Sequence, residues 1–152
     1  MNVVGCKWVY KAKLQPNVSL GCLKVHLVAK GFNQVDGVDF SETFSPIIKW
    51  ASIKVVLTIA IVKHWELRQL DVKNVFLHGH LSAPVYMQQP LGYVDPAYPT
   101  HVCQLSRALY GLKQAPRAWF DRLSDFLLHL GFYCSIINPS LFICHSSRVF
   151  SY

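Results

Sequence analysis

The sequence has few acidic residues, and its first third has almost none. Eight Asp and Glu stand against 15 Lys and Arg, which gives a formal net charge of +7. No acid precedes Asp36, and residues 1–63 hold eight lysines against three acids. Such a segment favours a polyanionic partner, with nucleic acid first. A lysine-rich surface that is simply solvated explains the charge alone equally well.

Patterns that would bind zinc or build a disulfide framework are also missing. The five cysteines are odd in number, scattered and without a Cys-x-x-Cys pair. Neither a disulfide framework nor a zinc site is therefore predicted. His78 and His80 form a His-x-His pair, but no second ligand pair follows at zinc-like spacing. A chance pair in a loop is the favoured interpretation.

Long hydrophobic runs and targeting segments are absent as well. The longest apolar stretch, residues 55–62, lies between Lys54 and Lys63, whereas a membrane helix needs about 20 residues. No signal-peptide core precedes Lys7 and Lys11. We therefore expect an intracellular protein, cytoplasmic or nuclear, without a membrane partner.

What the sequence does contain is apolar surface in regular patterns. Hydrophobic residues make up 52% of the chain and charged residues 15%, which is enough for one domain with a core. Apolar and basic residues alternate over 6–14 and again over 23–29, around a turn at 15–21, which predicts a β-hairpin. Further extended segments are predicted at 66–72, at 85–88 inside a proline-rich loop of 82–100, at 101–105 and at 140–144.

Helical spacing of apolar residues appears in two segments. The spacing predicts helices over about 49–64 and over 117–130, the second with Pro116 in its first turn and Gly131 as its C-cap. A short helix or turn is predicted at 74–77. The order of elements favours an α+β fold.

One carboxylate stands out from this background. Asp71 closes the apolar segment 66–72, beside a predicted tight turn. A carboxylate in that place can hold Mg²⁺ next to a triphosphate. By spacing alone, a helix N-cap is the commoner role for such a residue.

Five ordered blocks give the chain a resemblance to a known family. Residues 5–11, 27–32, 42–46, 69–79 and 109–120 read GCKWVYK, LVAKGF, ETFSP, QLDVKNVFLHG and LYGLKQAPRAWF. Together they resemble the reverse transcriptase of copia-type long-terminal-repeat retrotransposons, over about residues 4–145. The resemblance implies a partial fingers–palm fold, an antiparallel sheet with packed helices, in which residues 1–48 are fingers-like and residues 49–152 are palm-like.

The resemblance also implies roles for particular residues. Asp71 falls on the first catalytic aspartate, a ligand of the Mg²⁺ ions, and the Val72 carbonyl falls on a further metal ligand. The implied nucleotide-binding residues are Asn74, Val75, Phe76, Tyr110 and Gly111, with Phe76 as the aromatic that excludes a ribose 2′ hydroxyl. The implied contacts to nucleic-acid phosphate are Lys24, Lys30, Lys113 and Arg117. The implied partners are deoxynucleotides, an RNA or DNA primer–template and the other Pol segments.

Ordinary structural roles remain open for several of these residues. Phe76 is also explained as a core side chain, Lys113 as a surface lysine and Arg117 as a first-turn helix residue. Two positions depart from the family pattern, since His26 replaces the usual Arg and Val75 the usual Ala. His26 is mostly neutral at pH 7, and the β-branched Val75 stiffens its turn.

The largest departure concerns the second half of the metal site. The resemblance fades after Ser147, before the Tyr-Val-Asp-Asp hairpin whose two aspartates complete that site in the family. We therefore expect a truncated RNA-directed DNA polymerase that is catalytically incomplete by itself. A non-catalytic nucleic-acid-binding remnant and a non-functional retroelement-derived reading frame are the alternatives.

Overall fold

A computed structural model of the chain describes residues 2–145; Ser147, where the resemblance is expected to fade, lies outside them. The elements are, in order, β1 (Val3–Val4), β2 (Cys6–Leu14), β3 (Leu20–Ala29), α1 (Trp50–Val62), β4 (His80–Gln88), β5 (Val102–Arg107), α2 (Ala115–His129), β6 (Tyr133–Cys134) and β7 (Phe142–Ile143). Short 3-10 helices lie at Gly31–Asn33 and Val75–His78. The mixture of sheets and helices agrees with an α+β class.

The predicted hairpin is confirmed and is the longest paired element. Strands β2 and β3 pair antiparallel from Cys6 opposite Ala29 to Leu14 opposite Leu20, with an irregularity after Lys13. Because side chains alternate between the two faces of a strand, one face carries the lysines and the other carries apolar residues. At the base of the apolar face, Trp8 donates from Nε1 to the Leu91 carbonyl at 2.9 Å.

The main sheet is mixed, which corrects the expectation of an antiparallel one. Its order is β1-β4-β5; β4 and β5 run antiparallel, but β1 runs parallel to β4 with Val4 beside Met87. A parallel pair needs a long crossover between its strands, and more than seventy residues separate these two strands. β6 and β7 form a small antiparallel sheet of their own.

One predicted extended segment and part of one predicted loop differ from the structure. Residues 66–72 are exposed and form no strand, because an alternating pattern makes a strand only where a neighbour accepts its backbone hydrogen bonds. Within the predicted loop at 82–100, the extended piece at 85–88 is confirmed, but the strand also covers 82–84. Pro84 fits there because it falls in the irregular stretch between the rungs at His80 and Val85, where no ladder hydrogen bond is needed.

Both long helices are confirmed, but they pack very differently. Helix α2 has Pro116 in its first turn, and Gly131 follows its C-cap with a φ of 89°, the left-handed conformation that commonly ends a helix. Helix α1 is apolar on all sides, yet Ala60 is its only buried residue and Trp50 is 78% exposed. Within residues 2–145, neither helix is long and apolar enough to cross a membrane.

The buried core lies between the main sheet, the base of the hairpin and the start of α2. Its buried members are Val4, Ala29, Val85, Met87, Ala108, Leu112 and Ala115. Three of them are alanines, so backbones approach closely here. The core therefore joins the hairpin, the sheet and α2.

Candidate functional site

The base of the hairpin docks directly on the turn before α2. The Ala29 N–H donates to the Tyr110 carbonyl at 2.8 Å, and the Lys30 N–H donates to the Gly5 carbonyl at 2.8 Å. A side chain on Gly31 would collide with the Gly111 carbonyl oxygen, and Gly111 itself has a φ of 90°. Backbone contact without intervening side chains therefore fixes Tyr110 relative to the hairpin.

Three rings continue from the hairpin toward the segment that carries Asp71. The His26 ring lies 5.7 Å from the Tyr110 ring, measured between centroids, and Tyr110 meets Phe76 edge-on at 5.0 Å. Edge-to-face contact is a favourable arrangement for aromatic pairs. Phe76 is half-buried and also packs against the core. The alternative of a core side chain therefore describes part of its contacts.

The segment around Asn74 forms a tight, left-handed turn. Asn74 has φ 53° and ψ 41°, and its carbonyl accepts from the Leu77 N–H at 2.9 Å, which opens the 3-10 helix that includes Val75. Gly79 follows, and a side chain there would meet the α2 backbone at Ala118. The short helix predicted at 74–77 is confirmed, and the glycine lets it seat on α2.

Asp71 and Val72 precede this turn on the open surface. Both are exposed, and among residues 2–145 the Asp71 carboxylate has no hydrogen bond or ion pair. The helix that follows starts at Val75 with Asn74 at its N-cap, so Asp71 does not have the N-cap role. Val72 lines an apolar cavity of about 230 Å³ with His78 and residues of α2.

The part of the chain that the structure describes contains no group of three or more His, Cys, Asp or Glu placed to hold a metal ion. Asp71 therefore offers one free carboxylate. Mg²⁺ prefers oxygen ligands, and a carboxylate supplies them. The chemistry of Asp71 therefore fits its predicted role as a Mg²⁺ ligand. The remaining ligands would be substrate phosphates, water and groups beyond those described.

Lys113 and Arg117 both bind protein groups, although Lys113 is also exposed to solvent. The Lys113 ammonium donates to the Gln34 carbonyl at 3.2 Å and lies 4.8 Å above the Phe40 ring. Arg117 pairs with Asp121 at 2.9 Å and with Glu42 at 3.4 Å. These contacts attach residues 31–44 to the first turns of α2, and below we call this set of contacts the α2 clamp.

Two glutamines at the centre of the α2 clamp carry no sequence signal of their own. Gln34 is 4% exposed; its side chain donates to Gln114 Oε1 at 3.0 Å and accepts from the Lys113 N–H at 2.9 Å. Gln114 donates in turn to the Asp39 carbonyl at 3.2 Å. Gln114 lies inside the block at 109–120, whereas nothing local marks Gln34, because its partners are about eighty positions away.

The hairpin presents a basic face. Its basic residues, alternating along the two strands, are Lys7, Lys11, Lys13, Lys24 and His26, and Val9, Cys22 and Val28 share the face with them. Lys11 lies directly opposite Lys24, and like charges in that position are destabilising without a counter-charge. The structure thus brings Lys24 together with lysines that the family resemblance does not single out.

Lys30 lies at the base of the hairpin beside a half-buried thiol. Its side chain packs over Gly5. Burial raises the pKa of the Cys6 thiol most, and the Cys103 thiol raises it further. The nearby Lys30 ammonium partly offsets this increase. Lys30 is itself half-buried, so it is less available to a phosphate backbone than the exposed lysines of the basic face.

Comparison with known proteins gives a consistent result. The family described as reverse transcriptase (RNA-dependent DNA polymerase) matches residues 1–149. The Retrovirus-related Pol polyproteins from transposons RE2 and RE1 of Arabidopsis thaliana are 49% and 48% identical over all 152 residues of this chain, and each match covers 10% of the relative. That from transposon TNT 1-94 of Nicotiana tabacum is 42% identical over 137 residues, 90% of this chain and 10% of its own length.

The similarity therefore extends over more of the chain than the expected range of 4–145. The chain spans about a tenth of the length of these relatives. No solved structure matches it.

Proposed function

The chain belongs to the reverse transcriptase (RNA-dependent DNA polymerase) family of copia-type retrotransposon Pol polyproteins, and we propose that its hairpin and Asp71 segment hold a primer–template and a deoxynucleotide for RNA-directed DNA synthesis. Residues 1–48, which include the hairpin, are fingers-like in this proposal, and residues 49–152 are palm-like. In this proposal the residues supply binding and positioning, and Asp71 supplies one metal ligand.

A continuous path from the basic face to the Asp71 segment carries the proposal. Lysines run down one face of the hairpin to His26, and His26, Tyr110 and Phe76 form an unbroken row of ring contacts. Phe76 lies five residues after Asp71. Phosphate groups bound along the lysines would therefore lead toward the aromatic rings and the carboxylate, as a template and an incoming nucleotide require.

The exposed carboxylate of Asp71 suits a metal-dependent nucleotide site. Bound Mg²⁺ would neutralise triphosphate charge and polarise the reacting phosphate. Asp71 would hold it with one carboxylate oxygen, and the neighbouring Val72 carbonyl is a second oxygen of the preferred kind. Phe76, supported by Tyr110, would border the sugar of the nucleotide, and the left-handed turn at Asn74 would border its phosphates, with Val75 and Gly111 beside them.

Lys113 and Arg117 enter this proposal in a supporting role. Their cationic groups already bind the Gln34 carbonyl, Glu42 and Asp121. An additional contact to phosphate would have to compete with these protein acceptors. We therefore assign the main electrostatic contact with nucleic acid to the exposed lysines, including Lys24, and a lesser one to the half-buried Lys30.

A salt titration of binding tests the proposal. Fluorescence anisotropy with a labelled RNA–DNA duplex should show binding that weakens steeply with salt, because each neutralised phosphate releases counterions. The double variant Lys11→Gln, Lys24→Gln should lower the slope of log affinity against log salt by about 2. The matched control Lys54→Gln, Lys63→Gln removes the same charge at α1 and should leave the slope nearly unchanged.

Two results would contradict the proposal. Equal loss in the hairpin and control variants would show that only net charge matters. Salt-independent affinity, or no anisotropy change at low salt, would remove the nucleic-acid role altogether.

A further inference from the structure

The tip of the hairpin is apolar, although the hairpin projects beyond the core. Leu14 and Leu20 form its last cross-strand pair and are 61% and 58% exposed. Val18, in the turn between them, is 74% exposed. Turn tips are ordinarily polar, so three exposed aliphatic side chains here lack an explanation in the folding of the hairpin itself.

Val18 also holds a backbone conformation that its side chain disfavours. Its φ is 64°, in the left-handed region where a β-branched residue is a genuine outlier. Hydrogen bonds around it hold the turn in place: the Val18 N–H donates to the Gln15 carbonyl at 2.9 Å, and Ser19 donates twice to Asn17 Oδ1. The tip is therefore a strained, well-braced apolar projection, and such strain often accompanies function.

The charge beneath the tip indicates its partner. Residues 6–29 contain four lysines and no acid. Lys13 lies in the rung next to the Leu14–Leu20 pair, and Lys11 and Lys24 pair two rungs further along. A protein partner for the aliphatic tip alone would not require four lysines without an acid. A nucleic acid accounts for both features, because its phosphates meet the lysines and its base stack accepts an apolar wedge.

We propose that the tip formed by Leu14, Val18 and Leu20 is a wedge that inserts into a nucleic-acid duplex and unstacks a base step, while the basic face holds the adjacent phosphates. The inference rests on the proposed nucleic-acid binding and adds an action to it. Apolar side chains that enter a base step unstack it and kink the duplex. A wedge ahead of the Asp71 segment would separate a strand already paired to the template.

The test measures unstacking and binding separately in the full chain. The probe is a template strand with an annealed downstream DNA strand, and 2-aminopurine replaces one base of the first downstream pair. Saturating wild-type protein should raise the 2-aminopurine fluorescence, because the base loses its stacking partners. Val18→Asn should abolish the rise and keep the dissociation constant by anisotropy within about threefold, since Asn tolerates the left-handed conformation.

A matched control comes from a second exposed valine. Val38 is 69% exposed and lies in the segment after β3, so Val38→Asn should retain the full fluorescence rise. Saturable binding without a rise, or an equal rise in Val18→Asn, would overturn the wedge and leave the proposed binding intact. Absence of any binding at low salt would overturn both.

One further outcome distinguishes nucleic acid from protein as the partner of the tip. If Val18→Asn reduced self-association in light scattering but left the fluorescence rise unchanged, the tip would contact copies of the chain. That result would also overturn the wedge.

Discussion

At the scale of single residues, two glycines allow the base of the hairpin to contact the turn before α2. Gly31 and Gly111 allow two backbone segments to touch where any side chain would collide. The sequence blocks at 27–32 and 109–120 each contain one of these glycines. Their contact brings these two blocks together in the fold.

Gly111→Ala should therefore destabilise the fold strongly. The substitution combines a disfavoured positive φ with a collision at the Ala29 carbonyl, and we expect a loss of about 3 kcal/mol or more in the free energy of unfolding. Gly92→Ala is the matched control, because Gly92 has a φ of 85° and open space around it; we expect a loss of about 1 kcal/mol there. Urea unfolding measures both, and equal losses would show that the close approach is not formed.

At the scale of elements, the α2 clamp joins the segment that follows the hairpin to the start of helix α2. Buried Gln34 binds both Gln114 and the Lys113 backbone. A buried polar group left without its partner is costly, so these bonds fix residues 31–44 in one position. The α2 clamp thereby holds the segment that follows the hairpin against the start of α2.

Gln34→Ala should weaken the fold through these bonds. The Lys113 N–H and Gln114 would each lose a buried partner, for an expected loss of about 1–3 kcal/mol in the free energy of unfolding. Gln104→Ala, at an exposed position of β5, should change it by about 0.5 kcal/mol or less. Urea unfolding of the two variants compares them directly, and a loss no larger than in the Gln104 variant would mean that Gln34 is solvated.

At the scale of the whole molecule, helix α1 leaves a large apolar surface uncovered. Ile61 and Val62 are 67% and 69% exposed, in a helix that is apolar all round. Exposed apolar surface of this extent promotes association. The described residues thus combine a well-packed core around α2 with a loosely packed region around α1.

The isolated chain should consequently self-associate. Light scattering should report species larger than a monomer, and the near-ultraviolet circular dichroism should be weak. Exchanging Ile61 and Val62 for lysine should reduce association without loss of helix content, because both side chains already face solvent. A monodisperse monomer with sharp near-ultraviolet signals would contradict this expectation.

Catalysis is also a property of the whole molecule, since a two-metal site needs several carboxylates that together hold two ions about 3.5–4 Å apart. Residues 2–145 offer Asp71 without a grouped set of ligands. We expect the 152-residue polypeptide by itself to show no primer extension on poly(rA)–oligo(dT) with Mg²⁺ or Mn²⁺. Extension that Asp71→Asn abolishes would show that its metal site is complete.

A chimera supplies the positive control for that assay. Adding a family Tyr-Val-Asp-Asp hairpin and a thumb after residue 147 should be the least that restores synthesis. In the chimera, Asp71→Asn should abolish the restored activity, whereas Asp95→Asn, at an exposed loop position, should leave it unchanged.

The sequence by itself determined the family, the hairpin and both long helices. Five motif blocks in order specify the family. The alternation of a strand and the 3.6-residue period of a helix are local patterns, so the hairpin at 6–29 and the helix beginning at Ala115 can be predicted without knowing what they pack against. Pro116 and Gly131 mark that helix because capping depends on adjacent residues.

Only the tertiary structure decided which local patterns find partners. It left residues 66–72 exposed without a strand, placed β1 parallel to β4, and turned Lys113 and Arg117 toward Gln34, Glu42 and Asp121. Each outcome depends on contacts between residues far apart in the chain. Local propensity does not encode such contacts, because the hydrogen-bond partner or the countercharge comes from another element.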